Sequence, residues 1–302
     1  MDRVHAMRVF LEVARERSFA GAARKLDMSA ASVTRTVAAL ESRIGADLFV
    51  RTTRTVRLTE AGARFEPECD RILADIDEAE AAAAGVRARP VGTLTITAPV
   101  LFGQIYVAPL VTAFCDQYPD VDVQLLLVDR VTNLADEGID VALRIGRMPD
   151  SSLRAASIGT VRQVVVGAPT YFREHGVPGV PDDLRRHRIV AVTSAYSAVE
   201  WRFGRKEKVS VRVQPRIRCS TNGAAIGIAA EGWALTRVLS YQVAPMLRDG
   251  RLQLTLEDHE EAPLPVQVVH AGNRTTPAKV RAFVDFITDR LRADPAFAHA
   301  RT

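Results

Sequence analysis

Apolar residues recur at helical spacing over the first sixty positions, and the rhythm then changes. Met7, Phe10, Leu11 and Ala14 make one stripe, Phe19, Ala22, Ala23 and Leu26 a second, and Val33, Val37, Leu40 and Ile44 a third. Each spacing predicts a short amphipathic helix with one buried face. Ser18 and Ser29 stand where the second and third helices need an N-cap, and Asp27-Met28-Ser29 breaks the pattern between them. The opposite face of the third helix carries Ala31, Thr34, Arg35 and Ala38. Beyond Gly45, Val56 and Leu58 alternate with Arg and Thr, which predicts a short cation-rich hairpin, a wing. After Thr59, a helix cap, steps of four and three join Phe65, Cys69, Ile72, Ile76, Ala79, Ala83 and Val86, a heptad seam over three repeats. It predicts a dimerisation helix, with Pro67 inside it as a point of strain.

From Thr93 the pattern becomes that of an α/β protein. Strands are predicted at 94–97, 121–128 and 139–145, with a helix marked by Val107, Leu110, Val111 and Phe114 between the first two. Strands alternating with helices predict a parallel sheet covered on its faces. Residues 161–167 would carry the chain into a second lobe, with strands around Val190, at 201–203 and at 209–213. Residues 266–270 would bring it back, and a helix over 277–292 would close the first lobe. The fold class is therefore α/β, with an N-terminal all-α winged helix-turn-helix (1–58), a long linker helix (59–89) and a C-terminal two-lobed α/β domain (90–302). Its lobe one is about 90–162 and 267–302, and lobe two about 163–266.

Composition sharpens this picture. A chain of 302 residues with 47% hydrophobic content suits two or three domains with real cores. Residues 1–58 hold 11 Lys/Arg against 6 Asp/Glu, and the remainder 29 against 30. The positive excess lies in the N-terminal fifth, the distribution of a nucleic-acid-binding segment. Small and hydroxyl side chains with one Arg let a helix lie deep in a major groove, where the guanidinium can fork onto guanine. Cys69, Cys115 and Cys219 form no disulfide framework and no CxxC pair. The chain shows no secretory leader, and no apolar run approaches the roughly 18 residues of a membrane span, so a cytoplasmic location is expected. The six histidines are isolated, and no GxSxG, HExxH, GxGxxG or P-loop pattern occurs. An enzyme, a metal site and a cofactor are not expected. Cys219, just before a predicted helix start, leaves a thiol redox sensor as an alternative, and a two-lobed small-molecule enzyme is a remoter one.

The N-terminal motifs are Phe19-Ala20-x-Ala22-Ala23-x-x-Leu26, Ser29-x-x-Ser32-Val33-Thr34-Arg35, Gly45-x-x-Leu48-Phe49-x-Arg51 and Arg54-x-Val56-x-Leu58-Thr59-x-Ala61-Gly62. In these the chain resembles the LysR-type transcriptional regulators. The family's usual Gln-Pro after the capping Ser is Ala30-Ala31 here. Asp140-Val141-Ala142-Leu143-Arg144-Ile145-Gly146, Ala168-Pro169-x-Tyr171 and Leu235-Thr236-Arg237 extend the resemblance to the family's periplasmic-binding-protein-like effector domain. They point to the subgroup of a neisserial adhesion-regulating member. The resemblance implies a homo-oligomer, dimer or tetramer, that binds double-stranded DNA and a small effector, with no membrane partner. DNA contacts are expected from Ser29, Ala30, Ala31, Ser32, Thr34, Arg35, Arg51, Thr53 and Arg54. Ligands in open α/β sheets sit at strand ends near helix N-termini. The effector is accordingly expected against Pro99, Val100, Leu101, Phe102, Arg144, Tyr196, Thr221 and Asn222. Arg144 and Arg147 serve as readily as surface ion-pair partners, and Trp201 is more readily core than cleft.

Overall fold

The computed structural model describes residues 2–51, 56–83, 89–147, 153–193, 199–272 and 276–297. The chain divides into two compact units. The first holds 1–93 with the short stretches 118–122 and 274–281, and the second holds the rest.

In the first unit, helices α1 (Arg3–Glu16), α2 (Phe19–Lys25) and α3 (Ala30–Ile44) precede the strands β1 (Phe49–Arg51) and β2 (Val56–Leu58) and the helix α4 (Glu60–Ala83). Each start is capped as its sequence requires: Asp2, Ser18 and Ser29 accept from the backbone N–H groups of Val4, Gly21 and Ser32. Asp27 adopts φ 51°, a left-handed conformation that Asp tolerates, and turns the chain between α2 and α3. Gly45, at φ 77°, ends α3. The stripes meet in one core in which Val9, Phe10, Val13, Ala22, Val33, Val37, Leu40 and Leu48 are wholly or almost wholly buried. Ile44, expected in that stripe, is instead 40% exposed. It lies in the last turn of α3, beyond the reach of α1 and α2.

After α4 the strands, which lie in the second unit except for the first residues of β3 and β4, are β3 (Gly92–Ala98), β4 (Val121–Leu127), β5 (Val141–Ile145), β6 (Leu153–Val161), β7 (Gln163–Gly167), β8 (Val190–Val192), β9 (Val199–Phe203), β10 (Val209–Val213), β11 (Ile217–Cys219), β12 (Thr236–Leu239), β13 (Gln253–Thr255) and β14 (Leu264–Ala271). The helices are α5 (Val100–Phe102), α6 (Ala108–Gln117), α7 (Pro169–His175), α8 (Asn222–Ala230), α9 (Ser240–Arg248) and α10 (Ala278–Arg292), with a π-helical turn over Gly103–Val107 between α5 and α6. Lobe one is a sheet in the order β4-β3-β5-β14-β6. It is mixed rather than parallel: β3 and β5 run parallel, but β14 is antiparallel to both its neighbours. The returning strand enters from lobe two, so its direction is set by the crossing and not by a helical connection. Phe283 and Phe286 of α10 pack on Phe114 of α6 at ring separations of 5.1 and 5.3 Å.

Lobe two is built on β12-β7-β13, with β11 parallel to β8 and a parallel bridge Ile189–Leu235 joining the two ladders. Strand β7 is apolar on both faces. Val165 joins a cluster with Tyr171, Trp201, Phe203 and Val211, while Val164 and Val166 join one with Ile226, Val238 and Leu252. Trp201 is thus core, 6% exposed. Contrary to the expectation that no apolar run approaches a membrane span, Val100–Gln117 is, by length and composition alone, a helix apolar enough to cross a membrane. Its buried residues Phe102, Val107 and Phe114 face the core of lobe one.

Candidate nucleic-acid interface and effector cleft

Helix α3 presents its second face to solvent. Ala31, Arg35 and Ala38 are exposed and Thr34 is half-buried. A chain of hydroxyls arranges this face. Ser29 Oγ caps Ser32 N at 3.1 Å and donates to Ser32 Oγ at 2.9 Å, and Ser32 Oγ accepts from Arg35 Nη2 at 3.4 Å. Thr34 Oγ1 donates to Ala30 O at 2.9 Å, leaving its lone pairs outward. The first turn of α3 carries no acidic residue, so its free amides at Ala30 and Ala31 suit an anion. Ser29, Ala30, Ala31, Ser32, Thr34 and Arg35 therefore fall together at one exposed end of one helix. Arg51 lies in β1, paired with Val56. Its side chain, together with Thr53 and Arg54, lies outside the described residues.

The turn from α3 to the wing rests on a residue that periodicity treats as polar surface. Glu41 is 8% exposed, and its Oε1 accepts from Leu48 N at 2.9 Å and Phe49 N at 3.2 Å. The wing is therefore hung from the recognition helix by a buried carboxylate. Helix α4 comes close to the same turn, since a Cβ on Gly62 would lie 2.1 Å from Leu48 O.

The expected dimer seam on α4 is divided. Cys69 is fully buried in the winged unit's own core, Phe65 lies with its ring tilted 5.4 Å from that of Phe10, and Ile72 packs on the same cluster. Within one chain these three belong to the fold of the unit. Burial pushes the Cys69 thiol up to about 12, which leaves it unreactive. Leu73, off the expected seam, is 8% exposed and completes this packing. Ile76 is half-buried, and the side chains of Ala79 and Ala83 lie outside the described residues.

In the second unit the geometry reassigns several expected cleft residues. Phe102 is fully buried, with ring centroids 5.4 Å from both Tyr106 and Tyr241 and 5.5 Å from Phe297. It is a core residue joining the lobes, not a cleft wall. Leu101 packs on the lobe-two cluster of Val164, Val166, Ile226 and Val238. Val100 N donates to Asp129 Oδ1 at 3.0 Å, so a carboxylate of the protein already occupies that helix start. Arg144 donates to Thr132 O at 2.9 Å and to Thr132 Oγ1, which ties it to the loop after β4. That loop is also held by the Arg130–Glu137 ion pair at 2.6 Å. Pro99 and Asn222 are half-buried, and Thr221 caps α8 by accepting from Ala224 N at 3.4 Å. Tyr196 lies outside the described residues.

Both crossings between the lobes carry buried charge. Arg162 is the single residue between β6 and β7. Its backbone exchanges hydrogen bonds with Ser240, N to Oγ at 3.1 Å and O from Ser240 N at 2.8 Å. Its guanidinium holds Glu260 at 2.9 and 3.2 Å, just before the return along β14. Beside it Arg237 pairs with Glu261 at 2.8 Å and lies 5.0 Å over the Phe203 ring. Burial lifts Glu260 above the ordinary carboxylate range against the opposing pull of Arg162. An Arg interrupting the apolar run Val161-Arg162-Gln163-Val164 was the sequence signal for this hinge. Among the described residues no group of His, Cys, Asp or Glu is placed to hold a metal ion.

A winged helix-turn-helix followed by a two-lobed α/β domain is the architecture of one class of bacterial regulator. Residues 4–63 match the bacterial regulatory helix-turn-helix protein family of LysR type, and residues 87–292 match the LysR substrate binding domain. The chain belongs to the LysR family of transcriptional regulators. It is 34% identical over 298 residues to an HTH-type transcriptional regulator of Xanthomonas campestris, covering 97% of this chain and 87% of that one. It is 28% identical to the regulator CrgA of Neisseria meningitidis, covering 94% and 95%. The solved structure of CrgA superimposes with a TM-score of 0.61 at 27% identity, covering 96% and 99%. That of AphB, the Vibrio cholerae virulence activator, gives 0.60 at 26%, covering 95% and 99%. The protein is accordingly a DNA-binding transcriptional regulator with an effector-binding domain.

Proposed function

We propose that this regulator reads its operator through the first two turns of α3, with Arg35 as the principal base contact and Thr34 and Ser32 beside it. The observation that carries the reading is the Ser29–Ser32–Arg35 chain, which holds a guanidinium at the exposed start of a helix with no acidic partner among the described residues. Because Ala30 and Ala31 carry no side-chain amide to contact a base, discrimination falls on Arg35 and on the wing cations Arg51 and Arg54. Arg35→Ala is expected to weaken specific binding by about 1–3 kcal/mol and to relax preference at one base pair. A selection of bound sequences from a random pool, run with wild type and variant, tests this. An unchanged motif and affinity would reject it.

The protein works as a cytoplasmic homo-oligomer, dimer or tetramer, with no cofactor and no catalytic activity. A small effector held between the lobes shifts the population of lobe closures and so the spacing of the winged units. Pro99, Val100, Thr221 and Asn222 remain the residues proposed for that cleft. Asp129 at the start of α5 disfavours a second carboxylate there. The effector is expected to place an apolar or amino group against Val100 and any acidic group toward α8. A thermal-shift comparison of matched aromatic amines and aromatic carboxylates tests this polarity. Stabilisation by carboxylates alone would reverse the assignment.

A further inference from the structure

The second unit carries a positive surface that operator reading does not use. Residues 199–218 hold seven Lys/Arg against two Glu, including two of the chain's four lysines. The rest of 59–302 holds 22 Lys/Arg against 28 Asp/Glu, so this segment is a basic island in an acidic surrounding. It is built as a two-stranded ribbon. Strands β9 and β10 pair antiparallel, with Trp201 opposite Val211 and Arg202 opposite Ser210. Side chains alternate cleanly. Trp201, Phe203, Val211 and Val213 are buried, whereas Arg202, Ser210 and Arg212 are exposed, as are Arg205, Lys206 and Lys208 at the tip. The inward face fixes the ribbon on the lobe-two core, and the outward face is left to water.

What marks this face is that its cations lie together on one ribbon. Several exposed arginines elsewhere are neutralised by near neighbours, as in Arg64–Glu60, Arg71–Glu68, Arg130–Glu137, Arg185–Asp182 and Arg186–Asp183. Among the described residues none of Arg202, Arg205, Lys206, Lys208 and Arg212 makes an ion pair, although Glu200 stands directly across from Arg212 in the register. Like charges brought together without counter-charge repel one another, and a polyanion relieves that repulsion by displacing counterions. The polyanion a transcriptional regulator meets is the DNA duplex, which carries one negative charge per about 1.7 Å of axis.

We propose that the β9–β10 ribbon is a second DNA contact, a sequence-independent clamp on the phosphate backbone of duplex flanking the operator. It carries no base readout: its cations are mostly at a turn, and phosphate contacts position a protein without specifying sequence. The proposal rests on the winged unit binding DNA, and the test separates the two.

Full-length wild type and Arg205→Ser/Lys206→Ser/Lys208→Ser are compared by fluorescence anisotropy across a salt series. Two mixed-sequence duplexes are used, one only long enough for the winged units and one with long flanks. The tip residues are exposed and the strands are kept, so an unchanged melting temperature confirms the fold. On the long duplex the log–log salt slope is expected to shallow by about two to three units, near 0.9 per lost contact. On the short duplex it should be unchanged. Arg205→Lys, which keeps the charge, should keep the slope. The control Arg185→Ser/Arg186→Ser removes positive charge from a paired surface of the same lobe. An unaltered slope on the long duplex overturns the proposal, whether the face then meets an acidic protein or only water. A matching loss in the control also overturns it, because the effect would then be net charge alone. A shallower salt slope on both duplexes in Arg51→Ser/Arg54→Ser, with the ribbon variant unchanged on the short one, would assign each contact to its own element.

Discussion

At the scale of single residues, buried charge accounts for the least expected parts of this protein. Glu41 is the clearest, a carboxylate inside the winged unit that accepts from two backbone amides of the turn into β1. Glu41→Ala would leave both amides without that acceptor in a buried site. Hydrogen bonds to a charged group contribute about 1.5–3 kcal/mol, and the variant should lose about that much on urea denaturation. Because the wing hangs from this turn, DNA affinity should fall as well, although Glu41 is itself buried. An unaffected midpoint would mean that another group satisfies the turn.

Glu260 is the counterpart in lobe two, and its pH dependence has a definite sign. Its folded-state value is raised, chiefly by burial, with Glu257 adding to the shift and Arg162 and Arg205 opposing it. The folded protein therefore holds this proton more tightly than the unfolded chain. The stability it contributes is present below the ordinary carboxylate value and is lost as pH rises through the raised one. Glu260→Gln should flatten the decline in melting temperature just above the ordinary carboxylate range relative to wild type. Parallel wild-type and variant profiles would show that the pair with Arg162 outweighs burial.

At the scale of elements, the packing of α4 within its own unit changes along its length. Its first half is core to the winged unit through Phe65, Cys69 and Leu73, and Ile76 lies beyond that packing. Leu73→Ala is expected to destabilise the unit by about 2–4 kcal/mol, the usual result of emptying a buried leucine site, without altering mass. Ile76→Asp is expected to shift sedimentation toward smaller species with little change in the unit's own unfolding, since a charge on an oligomer seam is costly only when the seam closes. The reverse pattern would place the oligomer contact in the first half of the helix. The π-helical turn Gly103–Val107 has a comparable local purpose. It carries Tyr106 between Phe102, Tyr241 and Phe297, the aromatic cluster that joins the lobes. Irregular turns of this kind inside helices are frequent at functional sites.

At the scale of the second unit as a whole, the Arg162–Glu260 pair on the crossings and Leu101 inserted into the lobe-two cluster oppose lobe movement, beside the aromatic cluster around Phe102. Arg162→Gln would strand a buried carboxylate. A fully buried pair broken this way costs about 3–5 kcal/mol, and the one-third exposure of Arg162 brings the expected loss to about 2–3 kcal/mol. Arg162→Met/Glu260→Leu should recover most of it, because the desolvated charge is gone. Leu101→Arg would both charge an apolar contact and separate the lobes. Small-angle scattering should then show a larger radius of gyration, and effector response should be lost while operator binding by the winged unit is retained. An unchanged scattering profile would mean that Leu101 does not hold the lobes together.

The sequence by itself determined the elements and their order. Helical stripes, caps at Ser18 and Ser29, the apolar strands and the basic N-terminal fifth are local properties, set by side chains within a few residues of one another. The exposed face of α3 proposed to contact DNA was legible for the same reason, since all its members lie on one helix. What only the tertiary structure decided concerns residues whose partners are distant in sequence. The burial of Glu41, the filling of the α4 seam by Phe10 and its neighbours, and the antiparallel return of β14 depend on which surfaces meet. So does the movement of Phe102 and Leu101 from cleft wall to lobe contact. An apolar residue at a strand end has the same local pattern whether it lines a cleft or closes one. A charged residue between apolar ones likewise looks solvated until its counter-charge arrives from another crossing, as Glu260 does for Arg162. Periodicity reports that a face is buried, and only packing reports against what.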